Sequence, residues 1–240
     1  TTEVAAAVAR ARAAQPAWAA RPLTERVRVL RRFHDSLYRR RHEVALALTR
    51  ENGKPLAEAL GSEVAIALDF AAYYAREAPG FLRAPWKMAG QIAMKRKRIR
   101  IEQEPHGVIG IVSPWNYPFM LSAGLILPAL VTGNAAVLKP SEFTPTSGAL
   151  LAELFAEAGA PADVFAVLQG DGAVGAALVN AAVDKVFFTG SVATGRKVAM
   201  ACAAQLIPCS LELGGSDPAI VLADADVQYA ASGIAWTRFS

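Results

Sequence analysis

Cysteine and histidine are scarce in this 240-residue sequence. Its two cysteines, Cys202 and Cys209, are too few for a disulfide framework in a chain of this size, and their spacing matches no zinc motif. The three histidines are scattered and lack the spacing of metal ligands. These shortages predict a reducing, cytoplasmic setting and no metal site.

Long apolar runs are also missing. The densest stretch, Phe119 to Val131, is interrupted by Gly124 and Pro128, which leaves it well short of a membrane-spanning length. The amino terminus lacks the basic-then-apolar pattern of a secretory signal. We therefore expect a soluble protein with no membrane partner.

Charge of either sign is modest. Charged residues make up 19% of the chain against 53% hydrophobic residues, and the net charge is +4, which is typical of a globular protein with a packed core. The basic run from Lys95 to Arg100 raises nucleic-acid binding as an alternative. Because Ile99 and Ile101 alternate with arginines there, a half-exposed strand is the favoured interpretation, and no nucleic-acid partner is expected.

Two kinds of hydrophobic pattern divide the chain. Residues 1–92 carry apolar side chains mostly at three- and four-residue steps, which predicts a helical lead-in. Within it we expect Thr24 to cap one helix, Gly53 to end a second, and a third to begin near Ser62. A strand over about residues 93–104 is expected to follow.

Residues 105–240 alternate short strand-like runs with helix-like runs. Runs that are hydrophobic on both faces and separated by helices are typical of a parallel sheet covered on two sides. Right-handed crossovers make such a sheet doubly wound. We therefore predict an α/β core with a mostly parallel sheet, with one of its strands at Ala219 to Leu222 and no linker long enough to separate autonomous domains.

Ligand-contacting groups in an open α/β sheet lie beyond the carboxyl ends of its strands. Polar or glycine-containing segments stand directly after or within four of the apolar runs. These segments are Pro114 to Pro118, Lys139 to Glu142, Gly190 to Gly195, and Leu211 to Gly215. Together they predict a ligand site at one edge of the sheet.

Two side chains in these segments are candidates for chemistry. Asn116, in a turn between two prolines, offers a neutral donor that could stabilise an oxyanion, although asparagine is also commonplace in turns. Glu212 stands between Leu211 and Leu213 in an apolar strand, which predicts a buried carboxylate. Burial raises the pKa of a carboxyl group and suits it to accept a proton from water, but a structural glutamate bonded to the backbone is an equal alternative.

Two further segments are candidates for cofactor binding. Lys139 and Glu142 could hold the two hydroxyls of a ribose, whereas a helix-capping carboxylate with a surface lysine is the alternative. Gly190 and Gly195 flank Ser191 at a strand-to-helix turn, where backbone amides can face a pyrophosphate. Glycines also occur at such turns for purely steric reasons, so this alternative stays open.

Four motifs, taken jointly and in order, resemble the aldehyde dehydrogenase superfamily over about residues 20–240. The motifs are Pro114-Trp-Asn-Tyr-Pro118, Lys139-Pro-Ser-Glu142, Phe188-Thr-Gly-Ser191 with Gly195, and Leu211-Glu-Leu-Gly-Gly215. The resemblance implies a Rossmann-like cofactor domain with one arm of an oligomerisation hairpin at about residues 93–104. It also implies NAD as cofactor with NADP possible, an aldehyde substrate, and a homo-oligomer, either a dimer or a tetramer.

The resemblance also implies roles for individual residues. Asn116 would hold the oxyanion formed when a cysteine thiolate attacks the aldehyde, and Glu212 would activate the water that hydrolyses the resulting thioester. The residues implied to bind the cofactor are Ser113, Trp115, Lys139, Ser141, Glu142, Gly190, Ser191, Gly195, Leu213 and Gly214.

One departure from the family pattern is large. The nucleophilic cysteine would fall a few residues beyond Ser240 and the catalytic domain would follow it, so the 240 residues alone are expected to be inactive. A non-catalytic dinucleotide-binding or assembly module is the alternative. A smaller departure is Ser216-Asp217, where many members carry a lysine, and in this respect the chain is similar to some semialdehyde-oxidising members.

Overall fold

The computed structural model describes residues 2–90 and 96–239. The predicted boundary at residues 92–93, the first residues of the strand expected over 93–104, and Lys95 of the basic run lie outside this described part.

The amino-terminal region is helical, as its apolar spacing predicts. It comprises α1 (Thr2–Ala19), α2 (Leu23–Arg39), α3 (Arg41–Asn52), the short α4 (Leu56–Glu58), a π-helical turn (Ala59–Val64) and α5 (Ala65–Phe81). Gly53 ends α3 with a left-handed φ of +86°, which confirms its predicted role. The prediction for Thr24 is wrong, because Pro22 is the capping residue of α2 and Thr24 lies within the helix.

A two-stranded ribbon follows the helical region. Strands β1 (Lys87–Met88) and β2 (Arg98–Ile99) pair in antiparallel register, and all four of their residues are exposed. The alternating pattern therefore predicts a strand here correctly but overestimates its length. Because both faces of the ribbon are exposed to solvent, side-chain packing contributes little to stabilise longer strands.

The rest of the chain alternates strands and helices. It comprises β3 (Val108–Val112), α6 (Pro118–Val131), β4 (Ala135–Lys139), α7 (Pro145–Glu157), β5 (Phe165–Val167), α8 (Gly172–Val179), β6 (Lys185–Gly190), α9 (Val192–Gln205), β7 (Cys209–Leu213) and α10 (Val227–Phe239). Strands β3 to β7 form one parallel sheet in the order β5-β4-β3-β6-β7. The predicted parallel α/β core is confirmed.

One predicted strand does not form. Ala219 to Leu222 has no strand structure, and Ile220 and Leu222 are 82% and 68% exposed. The reason is that no described strand pairs with this segment, so its backbone lacks inter-strand hydrogen bonds and its apolar side chains lack a core to pack against.

Helices cover the sheet on both faces. Ile109 and Ile111 belong to a core with residues of α2, α3, α5, α6 and α7. Val108 and Val186 belong to a second core with residues of α1, α8 and α9. Strands β4 and β5 lie on one side of β3, and β6 and β7 lie on the other side. The direction in which successive strands are added therefore reverses between β3 and β6. Ligands of open α/β sheets bind at the carboxyl ends of strands beside such a reversal.

Among the described residues, no helix combines the length and the apolar character needed to cross a bilayer.

Candidate functional site

The strand register brings all four motifs to one edge of the sheet. Val112 of β3 pairs with Lys139 of β4 and with Phe188 of β6. Gly190, at the carboxyl end of β6, pairs with Leu213 of β7. Each motif therefore includes or directly follows the carboxyl end of its strand.

The loop between β3 and α6 carries Asn116. Trp115 and Asn116 are exposed at the edge of the sheet, and Trp115 is 56% exposed. Ser113 is buried, and its hydroxyl shares a hydrogen bond of 2.8 Å with the hydroxyl of Ser122. The loop thus anchors Ser113 in the core and presents the Asn116 amide to the space beyond the sheet.

Glu212 is exposed, and its predicted burial is wrong. It pairs with Thr189 near the end of β7, which is the last strand in the sheet order. Because a sheet-edge strand has a neighbour on one side only, apolar flanking residues do not ensure burial there. Leu213 is 38% exposed and Gly214 is also exposed.

Asn116 and Glu212 nevertheless belong to the same edge. The Asn116 loop follows β3, and Glu212 lies on β7. Only β6 separates these two strands, so the strands are two inter-strand spacings or about 10 Å apart. Both residues therefore lie at the same end of the sheet.

Lys139 and Glu142 form an ion pair at the end of β4. The Lys139 Nζ lies 2.9 Å from Glu142 Oε2, and Lys139 is only 3% exposed, which argues against the surface-lysine alternative. A hydrogen bond from its own backbone N–H, together with the Lys139 ammonium, lowers the pKa of the exposed Glu142 carboxyl. Ser141 is buried, and its hydroxyl accepts a 3.3 Å hydrogen bond from the Phe143 N–H.

The turn from β6 into α9 combines a cap with a close packing contact. Ser191 is exposed and caps α9 by accepting a 3.2 Å hydrogen bond from the Thr194 N–H. Gly195 is buried, and a Cβ there would lie 2.4 Å from Leu213 Cδ2. Close packing therefore accounts for a glycine at 195 and, because a Cβ at 190 would lie 2.7 Å from the Phe188 ring, for the glycine at 190. Ser191 is the exposed residue of this turn.

A cavity of about 370 Å³ lies beside Lys139, between α8 and α9. Its lining residues are Val112, Lys139, Gly172, Gly175, Ala176, Val179, Asn180, Phe188, Thr194, Lys197, Val198 and Ala201. Sequence reasoning missed the contribution of α8. The signal was the small residues Gly172, Gly175 and Ala176 on that helix, which leave space above the sheet. A cavity of this size and apolar character is typical of small-molecule sites.

A second group missed by sequence reasoning surrounds the Asn116 loop. Asn52 and Lys54 donate hydrogen bonds to its backbone, and Glu63 pairs with Lys54. A signal was present for Glu63, since it stands four residues before the buried Ala67 on the apolar stripe of a helical region.

The two cysteines lie away from this edge. Burial, with a smaller effect of Cys209, raises the pKa of the Cys202 thiol to about 11. Cys209 begins β7, so it lies at the opposite end of the strand from Leu213. Within residues 2–90 and 96–239, no three His, Cys, Asp or Glu side chains group as metal ligands.

Comparison with known proteins identifies the family. The sequence model of the aldehyde dehydrogenase family matches residues 1–240. The chain belongs to the aldehyde dehydrogenase family. A candidate succinate-semialdehyde dehydrogenase [NADP(+)] of Mycolicibacterium smegmatis is 42% identical over 99% of this chain and 46% of its own length. A 4,4'-diapolycopene aldehyde oxidase of Methylomonas is 40% identical over 92% of this chain and 42% of its own length.

A solved structure agrees with this aldehyde dehydrogenase fold. The NAD-dependent aldehyde dehydrogenase of Sinorhizobium meliloti superposes with a TM-score of 0.91 at 38% identity, covering 98% of this chain and 47% of the solved one. The present chain thus spans less than half the length of each of these three relatives.

Proposed function

We propose that the full-length protein oxidises an aldehyde to a carboxylic acid through a cysteine thioester, with NAD⁺ as cofactor and NADP⁺ as an alternative. The main support is that Asn116, the Lys139–Glu142 pair and the adjacent cavity share one edge of the sheet. The names of the relatives agree with this reaction class, since they include an aldehyde oxidase and dehydrogenases that use NAD or NADP⁺.

The cavity and its polar entrance fit a dinucleotide. Val179, Val198 and the small residues of α8 offer an apolar slot for a flat base. At its side, the Lys139 ammonium and the Glu142 carboxylate can respectively donate to and accept from ribose hydroxyls. Backbone amides at the start of α9, next to Gly190 and Ser191, favour a pyrophosphate. When bound, the nicotinamide cofactor supplies the hydride acceptor.

Glu142 favours NAD⁺ over NADP⁺. A carboxylate beside the ribose hydroxyls repels a 2′-phosphate by a few kcal/mol at most, and solvent screens part of that effect because Glu142 is exposed. Trp115, Ser113, Ser141, Leu213 and Gly214 complete the proposed cofactor-binding set.

Asn116 and Glu212 are the proposed catalytic residues. The Asn116 amide N–H donates to the substrate oxygen as that oxygen gains negative charge during thiolate attack. The Glu212 carboxylate accepts a proton from the water that attacks the thioester, so the cysteine leaves as a thiolate and the acid is released. Because Glu212 is exposed among the described residues, its environment in the full-length protein sets how strongly it acts as a base.

We assign the nucleophile to a cysteine outside these 240 residues. Cys202 is buried with a raised pKa, and Cys209 lies at the far end of β7 from Glu212. The isolated 240 residues should therefore bind cofactor without oxidising aldehyde. The Ser216-Asp217 pair and the semialdehyde-dehydrogenase relative make a semialdehyde the first substrate to test.

A homo-oligomer, dimer or tetramer, is part of the proposal. Met88 of β1 is 62% exposed, and so is Trp86 directly before that strand, while Ile101, two residues after β2, is 67% exposed. A two-stranded ribbon with exposed apolar side chains gains stability by pairing with another surface.

The test is aldehyde-dependent NAD⁺ reduction by the full-length protein. Asn116→Ala is expected to lower kcat by about 10² to 10³, the usual effect of removing one oxyanion donor, while NAD⁺ affinity stays unchanged. Gln205→Ala, which removes an exposed amide at the end of α9 opposite Ser191, is the matched control and should retain activity.

The competing proposal, a non-catalytic dinucleotide-binding module, is separated by the same assay. NAD⁺ binding that depends on Lys139 and Glu142, with no turnover of any aldehyde by the full-length protein, would support the module and reject the oxidation reaction.

A further inference from the structure

The backbone on both sides of Asn116 is held by residues from the helical lead-in. The Asn116 carbonyl accepts a 2.9 Å hydrogen bond from Lys54 Nζ, and the Trp115 carbonyl accepts one from Asn52 Nδ2. Asn52 is the last residue of α3, and Lys54 follows it after Gly53. These donors are more than 60 residues from the loop in sequence.

Lys54 is well buried for a lysine. Its side chain is 9% exposed, and its ammonium pairs with Glu63, whose side chain is fully buried. The ammonium also lies 4.1 Å from the centre of the Tyr117 ring. A carboxylate, a carbonyl and an aromatic face therefore surround one cation, which fixes its position.

Glu63 also contacts the backbone that follows the Asn116 loop. Its Oε2 accepts hydrogen bonds from the N–H groups of Phe119 (2.9 Å) and Met120 (3.1 Å), in the first turn of α6. Tyr117, at the cap position of α6, makes no side-chain cap bond. Glu63 thus supplies the missing cap from a distant segment, and its negative charge suits a helix amino terminus.

The π-helical turn places Glu63 for this contact. Residues Ala59 to Val64 form the wider turn, and Glu63 lies within it with its side chain directed into the core. Single π-helical turns are rare and are frequently found at functional sites.

We propose that Asn52, Lys54 and Glu63 are positioning residues for the oxyanion-binding amide of Asn116. This inference rests on the proposed function. The three residues fix the loop backbone at 115–116 and at 119–120. They therefore position the Asn116 side chain through bonds to the backbone rather than through bonds to that side chain. An oxyanion donor must be placed within about 0.5 Å, which a loop held only by its own ends does not ensure.

The experiment is a double-mutant cycle on the full-length protein. One arm is Asn52→Ala, and the other is the paired substitution Lys54→Met with Glu63→Gln, chosen because either single change would leave a buried charge unpaired. Each arm is expected to lower kcat about tenfold or more, with KM for the aldehyde and the NAD⁺ dissociation constant changed by no more than about twofold. In the Asn116→Ala background, each arm should lower kcat by less than about threefold, because the positioned group is gone.

A purely structural role gives a different result. It would lower kcat by the same factor in both backgrounds, and that outcome would overturn the inference. Arg40→Met is the matched control, since Arg40 also joins distant segments through Glu153 and Glu157. This control should lower the melting temperature and leave kcat unchanged. Amide hydrogen exchange over residues 115–121 should accelerate in the positioning variants and not in the control.

The two proposals fail separately. If Asn116→Ala leaves kcat unchanged, the proposed oxyanion role falls and the positioning role falls with it. If Asn116→Ala lowers kcat but the Asn52 and Lys54–Glu63 variants do not, only the positioning role is rejected.

Discussion

Glu142 and Lys139 differ in exposure although their side chains touch. The Lys139 side chain is 4% exposed and the Glu142 side chain is 43% exposed. A buried ammonium needs a partner, whereas an exposed carboxylate is partly satisfied by water. The pair therefore matters more for holding Lys139 at the cavity than for the stability of the fold.

The pH dependence of stability tests this interpretation. The pKa of Glu142 is lowered in the folded state, so its contribution is complete above the unfolded value of about 4.3 and is lost as pH falls through the folded value. Urea unfolding at pH 3.5 to 7 should show that Glu142→Gln costs about 0.2–1 kcal/mol near neutrality and less at the acid end. In a Lys139→Met background, the effect of Glu142→Gln on stability should depend less on pH but should not become independent of it. The reason is that the hydrogen bond from the Glu142 backbone N–H lowers the pKa of that carboxyl more than Lys139 does. A difference that grows as pH falls would contradict the prediction.

The location of individual site residues could be predicted from the sequence only where the residue directly follows the end of a predicted strand. The placement of Asn116 and of Lys139 with Glu142 at one edge follows from the alternation of strands and helices. The exposure of Glu212 could not be predicted, because local sequence does not reveal that β7 is the last strand in the order. The contacts of Asn52, Lys54 and Glu63 with the Asn116 loop could not be predicted, because that loop lies more than 50 residues away along the chain, although the apolar stripe indicated that Glu63 is buried.

At the scale of elements, two helices of the α/β core receive their amino-terminal caps from the helical lead-in. Glu63 caps α6, and Glu51 accepts hydrogen bonds from the N–H groups of Thr146 and Ser147 at the start of α7. Both carboxylates satisfy donors that the helices cannot satisfy themselves. The caps tie the two regions together at the same edge of the sheet.

Removing the Glu63 cap gives a graded stability prediction. Glu63→Ala leaves the Lys54 ammonium buried and two amides without their acceptor, so urea unfolding should show a loss of about 3–5 kcal/mol. Glu63→Gln keeps an oxygen acceptor for the amides and should cost less. Glu77→Ala removes an exposed ion pair with Arg76 and should cost less than about 1 kcal/mol. Equal losses for the Ala and Gln variants at residue 63 would contradict the capping role.

Most elements could be predicted from periodicity, because buried strands and amphipathic helices have distinct patterns. The exceptions have physical reasons. The π-helical turn at Ala59–Val64 differs from an α-helix by its hydrogen-bond register, which apolar spacing does not encode. Ala219 to Leu222 has a strand-like composition, but strand formation needs a neighbour that the described residues do not provide.

At the scale of the whole molecule, the carboxyl-terminal segment is open to solvent. No residue of α10 is buried, and Ile220, Tyr229 and Phe239 are each at least 82% exposed. Apolar side chains exposed to this extent favour association with another polypeptide surface.

This exposure predicts association of the isolated 240 residues. Analytical ultracentrifugation at micromolar concentrations should show concentration-dependent self-association, and hydrophobic dye should bind. Replacing Ile220, Leu222 and Tyr229 by serine should reduce both signals, whereas serine at Ala193 and Ala203, exposed positions on α9, should not. A monomer with no dye binding would contradict this prediction.

The packing of the helical lead-in against the sheet limits how far the chain can be shortened. Helix α1 lies against β4 on one side, while α2 and α5 pack on α6 on the other. A fragment of residues 105–240 would lose the helices that pack on both faces of the sheet. It would also lose the carboxylates of Glu63 and Glu51, which cap α6 and α7. A fragment made to test the proposed cofactor binding should therefore retain the first 81 residues, and it can be shortened from the exposed carboxyl-terminal end.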